Sequence, residues 1–595
     1  MKDLAYLNKF LYKYRWRFIP GIIFVIISNV FGVLPAQVVR VAFDLVTENI
    51  AIYRLYSGFH RQELIYDIFG SSLLLFGLMV LMLSLIRGLF LFLMRQTLIL
   101  MSRHIEYDLK NTIYNHYQNL SLAFYRRHST GDLMNRATED VSRVRMYLGP
   151  GIMYSVNTIV LFVLVIYAMT TVNLRLALFS VLPLPVLAFS IYYVNSIINF
   201  RSEKIQQRLS ALSSFIQETF SGIRVIKSYV RENFVRDSFA VESENYKTHS
   251  MALVRVQALF YPMMLLLIGI SNVIIIYVGG VEVMKGTVTP GNIAEFIVYL
   301  NQLMFPVMAL GWVTSLIQRA AASQKRINEF LKETPEIVSG NVMHQVKGEI
   351  RFNNVSFTYP DTGIQALKNV SFTARPGEMV AIIGRTGSGK STIANLIMRM
   401  YDVTDGDIAI DGVTLPTLEL NTYRSQVGFV PQEVFLFSDT IARNIAFSAD
   451  KMDLPAVEQA AKDASVYQNI VEFDKGFDTM IGERGITLSG GQKQRVSIAR
   501  AIFKQPQILI LDDCLSAVDT KTEEEILNNM GSIMNNKTSI IIAHRISTIK
   551  NADQILVLDH GTIAERGTHE SLMEQKGIYF DLYEKQLLEE QENES

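Results

Sequence analysis

Before residue 320 the chain holds six apolar stretches of bilayer length, and after residue 350 it holds none. They run near 18–43, 69–99, 150–171, 174–198, 256–280 and 292–318. A hydrocarbon layer about 30 Å thick takes about 20 helical residues to cross. Inside it every backbone N–H and C=O must find a partner within its own segment, so each stretch has to be a helix. The first half is thereby confined to a helical membrane domain, and the second half is left to fold in water. A mean hydropathy of only +0.22 hides this division.

The spacing of the stretches sets the topology. Spans two and three, and spans four and five, are separated by about fifty polar residues; the connections between spans three and four and between five and six are only a few to about a dozen residues. The N-terminal segment carries Leu4, Leu7, Phe10, Leu11 and Tyr14 on one helical face, with Lys9, Lys13, Arg15 and Arg17 alongside. That pattern predicts an amphipathic helix lying at the membrane surface. The connection 44–68 opposes Asp44, Glu48, Glu63 and Asp67 to Arg54 and Arg61. Positive charge marks the cytoplasmic side, so the N-terminus, both long connections and residues 321–595 fall there. The long connections keep helical periodicity and read as spans continuing beyond the bilayer. Each contains a polar-aromatic kink, Phe124-Tyr125-Arg126-Arg127-His128-Ser129-Thr130-Gly131-Asp132 and Ser228-Tyr229-Val230-Arg231-Glu232-Asn233-Phe234. The first apolar run is too long for a signal peptide and lacks a small-residue cleavage site.

Polar residues inside spans are costly and bias toward a cavity. Arg87, Arg95, Asn157, Tyr167, Asn272, Glu295, Tyr299 and Gln302 are such residues, with methionines 79, 82, 94, 263, 264, 304 and 308 among them. They read either as interhelical hydrogen bonds and packing or as an adaptable pocket for large apolar molecules. Pro183 and Pro185 predict a kink in span four. With zero formal charge, nothing suggests a nucleic-acid partner, and none is expected. The single cysteine, Cys514, excludes an internal disulfide and reads as a packing residue.

The soluble half is organised around Gly384-Arg385-Thr386-Gly387-Ser388-Gly389-Lys390-Ser391-Thr392. An apolar strand, Met379-Val380-Ala381-Ile382-Ile383, precedes it, and Ile393, Leu396, Ile397 and Met400 follow at helical spacing. Strand, glycine loop and helix in that order form a phosphate cradle: backbone N–H groups close on the oxygens, and the helix N-terminus adds positive potential. Lys390 is placed for the outer phosphates and the Ser391 hydroxyl for Mg²⁺. The ligand is a nucleoside triphosphate. Tyr359 lies 25 residues ahead, where it can stack on an adenine ring, and Gln432 ends a strand within reach of the metal. Leu488-Ser489-Gly490-Gly491-Gln492 opens a second helix behind a glycine pair, a second anion site. One ATP does not need both from one chain, so the site reads as composite across two chains. The buried strand Ile508-Leu509-Ile510-Leu511 ends in Asp512, placed for Mg²⁺, and Asp513, placed to polarise the attacking water. Another strand ends in His544, placed for the γ-phosphate.

With these motifs in order the chain resembles the ABC exporters in which six spans are fused ahead of one nucleotide-binding domain, a half-transporter. Residues 384–391, 488–492 and 508–512 match the family's phosphate loop, signature sequence and Walker B strand. Tyr359 matches the aromatic loop, Gln432 the Q-loop, Ser516-Ala517-Val518-Asp519 the D-loop, and His544 the switch histidine. Residues 479–485 resemble the loop that touches the partner's membrane domain, and the two polar kinks resemble coupling helices. The resemblance implies a helical membrane domain followed by a P-loop α/β ABC ATPase domain, with ATP and Mg²⁺ as cofactors. The expected divisions are an interfacial helix 1–17, membrane domain 18–320, linker 321–349, nucleotide-binding domain 350–585 and acidic tail 586–595. It further implies a multi-pass protein of the cell membrane, the bacterial inner membrane, contacting membrane lipid and exporting amphipathic drugs or lipids. No N-terminal peptidase domain is expected.

One position departs from the pattern. Where the family has glutamate after the Walker B aspartate, this chain has Asp513, one methylene shorter. A misplacement of about 1 Å can cost about 10²-fold in rate. Intact signature and altered catalytic residue together resemble one half of the heterodimeric bacterial multidrug exporters, with one weakened ATP site. The alternatives are a homodimeric flippase-exporter and an ATP-gated regulatory or channel-like subunit with little turnover.

Overall fold

The computed structural model describes residues 2–55, 62–482, 488–514, 526 and 537–594. They form two compact units: Met1–Tyr117 with Gly131–Lys332, and Gln118–Thr130 with Glu333–Ser595.

In the first unit, six helices among the described residues are long and apolar enough to cross a membrane. The principal elements along this part of the chain are α1 (Arg15–Leu55), α2 (Gln62–Asn119), α3 (Leu122–Arg127, which folds with the second unit), α4 (Ile152–Val172), α5 (Leu174–Val181), α6 (Pro183–Ser221), α7 (Ile223–Ser228), α8 (Glu232–Met284) and α9 (Pro290–Phe330). Helix α2 has 58 residues and α8 has 53. At a rise of 1.5 Å each is about 80 Å long or more, far beyond the hydrocarbon layer, so the polar connections are continuations of the spans. Span four breaks at Leu182 between α5 and α6, where Pro183 supplies no N–H to the ladder.

Several of the polar residues singled out in the spans join helices. Fully buried Glu295 accepts hydrogen bonds from Tyr299 Oη at 2.9 Å and Asn292 Nδ2 at 3.2 Å, and pairs with Arg40 at 3.3 Å. Asn157 accepts from Asn29 Nδ2 at 3.0 Å, and Gln302 Nε2 donates to the Gly32 carbonyl at 2.9 Å. Met264 lies in the bundle core with Met304 and Met308 at its edge, whereas Met79, Met82 and Tyr167 face outward. The Arg87 guanidinium packs over Gly32, and Arg95 is exposed. A cavity of about 380 Å³ does open between α6 and α9. Its walls include Asn195, Asn199, Gly311, Thr314 and Gln318, none of them picked out by sequence.

The N-terminal segment packs its apolar face on the protein. Leu4, Leu7 and Phe10 are buried within the protein, and Asn328 Nδ2 donates to the Asp3 carbonyl. Lys13 and Tyr14 both bind Asp108 of α2, at 2.6 and 3.0 Å. Much of the apolar face is spent on the bundle, and Tyr12 and Trp16 are the large hydrophobic side chains of the segment left exposed. Several boundaries move. Helix α1 begins at Arg15, before residue 18, and α9 runs to Phe330, through the first ten residues of the expected linker. The linker's second half belongs to the second unit, where Asp411 accepts the N–H groups of Lys347, Gly348 and Glu349. The acidic tail is not separate: helix Ile578–Glu594 runs through it, and Gln586 accepts from the Ile546 N–H.

The second unit carries two sheets. The smaller is antiparallel in the order β2-β1-β4-β5 (Gln365–Ala374, Ile350–Thr358, Asp405–Ile410, Val413–Thr414). The larger has the order β10-β9-β3-β8-β7-β6. Its strands are β3 (Met379–Gly384), β6 (Val427–Val430), β7 (Ile508–Asp512), β8 (Thr538–Ile542), β9 (Gln554–Asp559) and β10 (Thr562–Gly567). Strands β6, β7, β8, β3 and β9 run parallel, and β7 and β8 are buried at every position, Ile508–Leu511 and Ile540–Ile542 supplying their apolar runs. Asp512 is in register with Ile542, so the carboxyl ends of β3, β7 and β8 converge, the place where open α/β sheets bind ligands.

Candidate functional site

At that edge the chain leaves β3 through the glycine loop and enters α10 (Lys390–Ile397). Gly384 has φ +154°, and a Cβ there would sit 2.1 Å from the Leu558 carbonyl oxygen; Gly389 has φ +101° and would strike Ala366. Only glycine lets the loop turn this tightly against β9 and β2. Lys390 is buried, and its Nζ donates to the carbonyls of Gly384 at 2.8 Å and Arg385 at 3.0 Å, which curls the loop around the ammonium. The Ser388 N–H closes the turn on Arg385, and the buried Ser388 hydroxyl has no hydrogen-bond partner among the described residues. An unsatisfied donor and an ammonium inside a loop of glycines fit a phosphate chain.

Ser391 Oγ donates to Asp512 Oδ1 at 2.9 Å. Hydroxyl and carboxylate are the hard oxygen donors that Mg²⁺ takes, so these residues fit the ion. Gln432, expected at the metal, has its Nε2 on Asp513 Oδ2 at 3.2 Å. Asp513 takes the left-handed conformation at φ +46°, which aspartate tolerates, and its N–H is tied to the Ile542 carbonyl at 2.9 Å. His544 Nε2 lies 3.9 Å from the same Asp513 oxygen. The Tyr359 hydroxyl shares a hydrogen bond with Thr392 Oγ1 at 3.0 Å, which brings its ring to the loop. Burial lowers the pKa of Lys390; burial and the neighbouring Asp513 raise that of Asp512 against the Ser391 hydrogen bond.

A cleft of about 470 Å³ collects Tyr359, Thr386, Gly387, Gly389, Lys390, Ser391, Thr392, Gln432, Asp512, Asp513 and His544 in one wall. Ser489, Gly490, Gly491 and Gln492 are not among its lining residues. They cap α11 (Gly490–Phe503): Ser489 and Gln492 exchange side chain and backbone hydrogen bonds at 3.0 and 3.3 Å. Residues 516–519, and 483–485 of the expected loop 479–485, lie outside the described residues. Cys514 is buried in the core, as read. Lys368 and His560, not singled out in sequence, also line the cleft, as does Arg126, which the sequence marks only as part of the first polar-aromatic kink. The turn before Gly561 signals a hairpin but not its destination, and nothing local ties Arg126 to the nucleotide cleft.

A phosphate-loop sheet beside an aspartate-tipped strand, in a chain with six apolar spans, defines a membrane-bound P-loop ATPase. The chain belongs to the ABC transporters, of the exporter type with membrane and ATPase domains fused. Residues 18–307 match the ABC transporter transmembrane region and 367–516 the ABC transporter domain. The chain is 37% identical to the multidrug resistance-like ATP-binding protein MdlA of Escherichia coli (strain K12), over 97% of this chain and 96% of that one. It is 37% identical to the ATP-dependent lipid A-core flippase of Vibrio vulnificus (strain CMCP6), over 86% and 87%. A solved bacterial Atm1-family ABC exporter with ATP bound superposes with a TM-score of 0.75 at 27% identity, covering 96% of this chain and 99% of that one. The protein is thus a multi-pass membrane ATPase that drives transport, with its ATPase domain in the cytoplasm.

Proposed function

We propose that this chain exports amphipathic drugs or lipids as half of a dimer, and that its partner is a second half-transporter supplying the catalytic glutamate absent here. The relatives' names, a multidrug resistance-like protein and a lipid A-core flippase, support the substrate class. In this reading Gly384, Arg385, Thr386, Gly387, Ser388, Gly389 and Lys390 hold the triphosphate, Tyr359 stacks on the base, and Thr392 positions Tyr359. Ser391, Asp512 and Gln432 hold Mg²⁺, which neutralises phosphate charge when bound. Asp513 polarises the attacking water and His544 contacts the γ-phosphate. Ser489, Gly490, Gly491 and Gln492 close over the nucleotide of the other chain.

The observation that carries the heterodimer is Asp513. Its backbone is tied to Ile542 and its carboxylate is engaged by Gln432, contacts that oppose a shift of the strand end to make up the missing methylene. The site then holds ATP long and turns it over slowly. A homodimeric reading has one observation in its favour, the retained His544 within 3.9 Å of Asp513. Reconstitution into liposomes decides between them. Slow hydrolysis by the chain alone, and rapid export of a dye or labelled lipid with a co-expressed glutamate-bearing homologue, is the expected result. Fast hydrolysis coupled to export by the chain alone establishes the homodimer. ATP-dependent conductance without export, even with such a partner, establishes the gated-channel alternative.

A further inference from the structure

Helix α3 sits in the first polar connection, yet Gln118–Thr130 fold with the nucleotide-binding domain as one unit. Arg126 of α3 forms part of the nucleotide cleft. Its guanidinium carbon stands over the Tyr359 ring, 4.9 Å from the centroid. The same guanidinium makes two further contacts: Nη1 donates to Tyr401 Oη at 3.3 Å, and Nε lies 3.6 Å from Asp361 Oδ2. Tyr401 meets Tyr359 at 87° with centroids 5.5 Å apart, and the Thr392 contact fixes the far end of the Tyr359 ring. The ring is contacted at its far end and by Tyr401, and a cation lies over it.

A guanidinium and a purine are both flat groups that bind aromatic faces, and one face takes one of them at a time. We propose that Arg126 is a base sensor: a purine entering the cleft displaces its guanidinium from Tyr359, so occupancy of the base subsite is reported to the connection between spans two and three. This rests on the reading of Tyr359 as the base platform. The phosphates alone would fill the glycine loop without disturbing Arg126. Asp361 and Tyr401 remain as partners for the displaced side chain, so α3 changes one contact and keeps its charge paired.

The test compares ATP with tripolyphosphate, which has no base, on the purified full chain by titration calorimetry. Arg126→Ala removes the competitor, so ATP affinity rises about threefold to tenfold while tripolyphosphate affinity is unchanged. A fall or no change in ATP affinity overturns the inference. Labelling of the wild-type chain with an arginine-selective dicarbonyl, mapped by mass spectrometry, requires no variant to fold. ATP should increase modification of Arg126 and tripolyphosphate should not; protection by ATP overturns the proposal. Tyr359→Ala separates the two levels of the argument. If it leaves the ATP-to-tripolyphosphate affinity ratio unchanged, the base platform itself is wrong; if it lowers the ratio while Arg126→Ala does not raise it, only the sensor fails.

Discussion

Lys390 and Asp512 are both buried in the cleft, and burial moves their pKa values toward each other. The sign of each effect on stability follows. For Asp512 the folded pKa lies above the unfolded one, so the cost of its charge is absent below the unfolded pKa and complete above the folded one. For Lys390 the folded pKa is the lower, so its cost is complete below that pKa and relieved as pH rises toward the unfolded value. At neutral pH both penalties are in force, and Mg²⁺ with a triphosphate relieves both. Thermal unfolding of the nucleotide domain should therefore show its largest shift on adding Mg-ATP between the two folded pKa values. The shift should shrink on the acid side as Asp512 protonates and on the alkaline side as Lys390 deprotonates. Asp512→Asn should remove the acid limb and keep the alkaline one; a pH-independent shift in the wild type would refute this assignment. The identities of both residues were legible in sequence, because a glycine loop and an aspartate-tipped strand have few other uses. Their burial was not, since it depends on what the other strands bring alongside.

Helices α2 and α8 show why periodicity was a sound guide to the long connections: a helix satisfies its own backbone groups in lipid and in water alike. At the tip between α6 and α8, Val225 of short helix α7, Tyr229 and Val230 of the turn after it and Phe234 at the start of α8 are at least 60% exposed beside an apolar cavity of about 350 Å³. So much exposed apolar surface gathered at one helix tip suits a docking element. Replacing exposed Arg224 and Val225 together by glycine should loosen α7 at about 1 kcal/mol per residue without touching a core. ATP binding should stay within about twofold while export falls at least tenfold relative to hydrolysis, a gap of about 1.4 kcal/mol. Unchanged export per ATP would reject the coupling role. The N-terminal segment shows the limit of the same guide: periodicity identified which side chains turn inward but not whether lipid or protein receives them.

At the scale of the molecule, the chain's own cleft lacks the signature residues, so Ser489 to Gln492 serve a nucleotide held elsewhere in this reading. Ser489→Arg should then nearly stop turnover of the complex by blocking the other chain's γ-phosphate, a loss of at least about 10²-fold. Asp513→Asn should cost less than about threefold, because the fast site is not its own. Steady-state ATPase of the co-purified pair measures both, and equal losses would place the fast site at Asp513. Six spans, a triphosphate loop and a soluble domain of parallel strands were determined by sequence alone, because each answers a local demand. Lipid forbids unpaired backbone, a phosphate needs glycine and an ammonium, and buried strands need unbroken apolar runs. What tertiary structure decided is long-range. Glu295 seals helices through Arg40, the expected tail clamps Ile546 through Gln586, and Arg126 from between two spans lies on Tyr359. No local pattern encodes these meetings, because they arise only when remote segments share the same few ångströms of space.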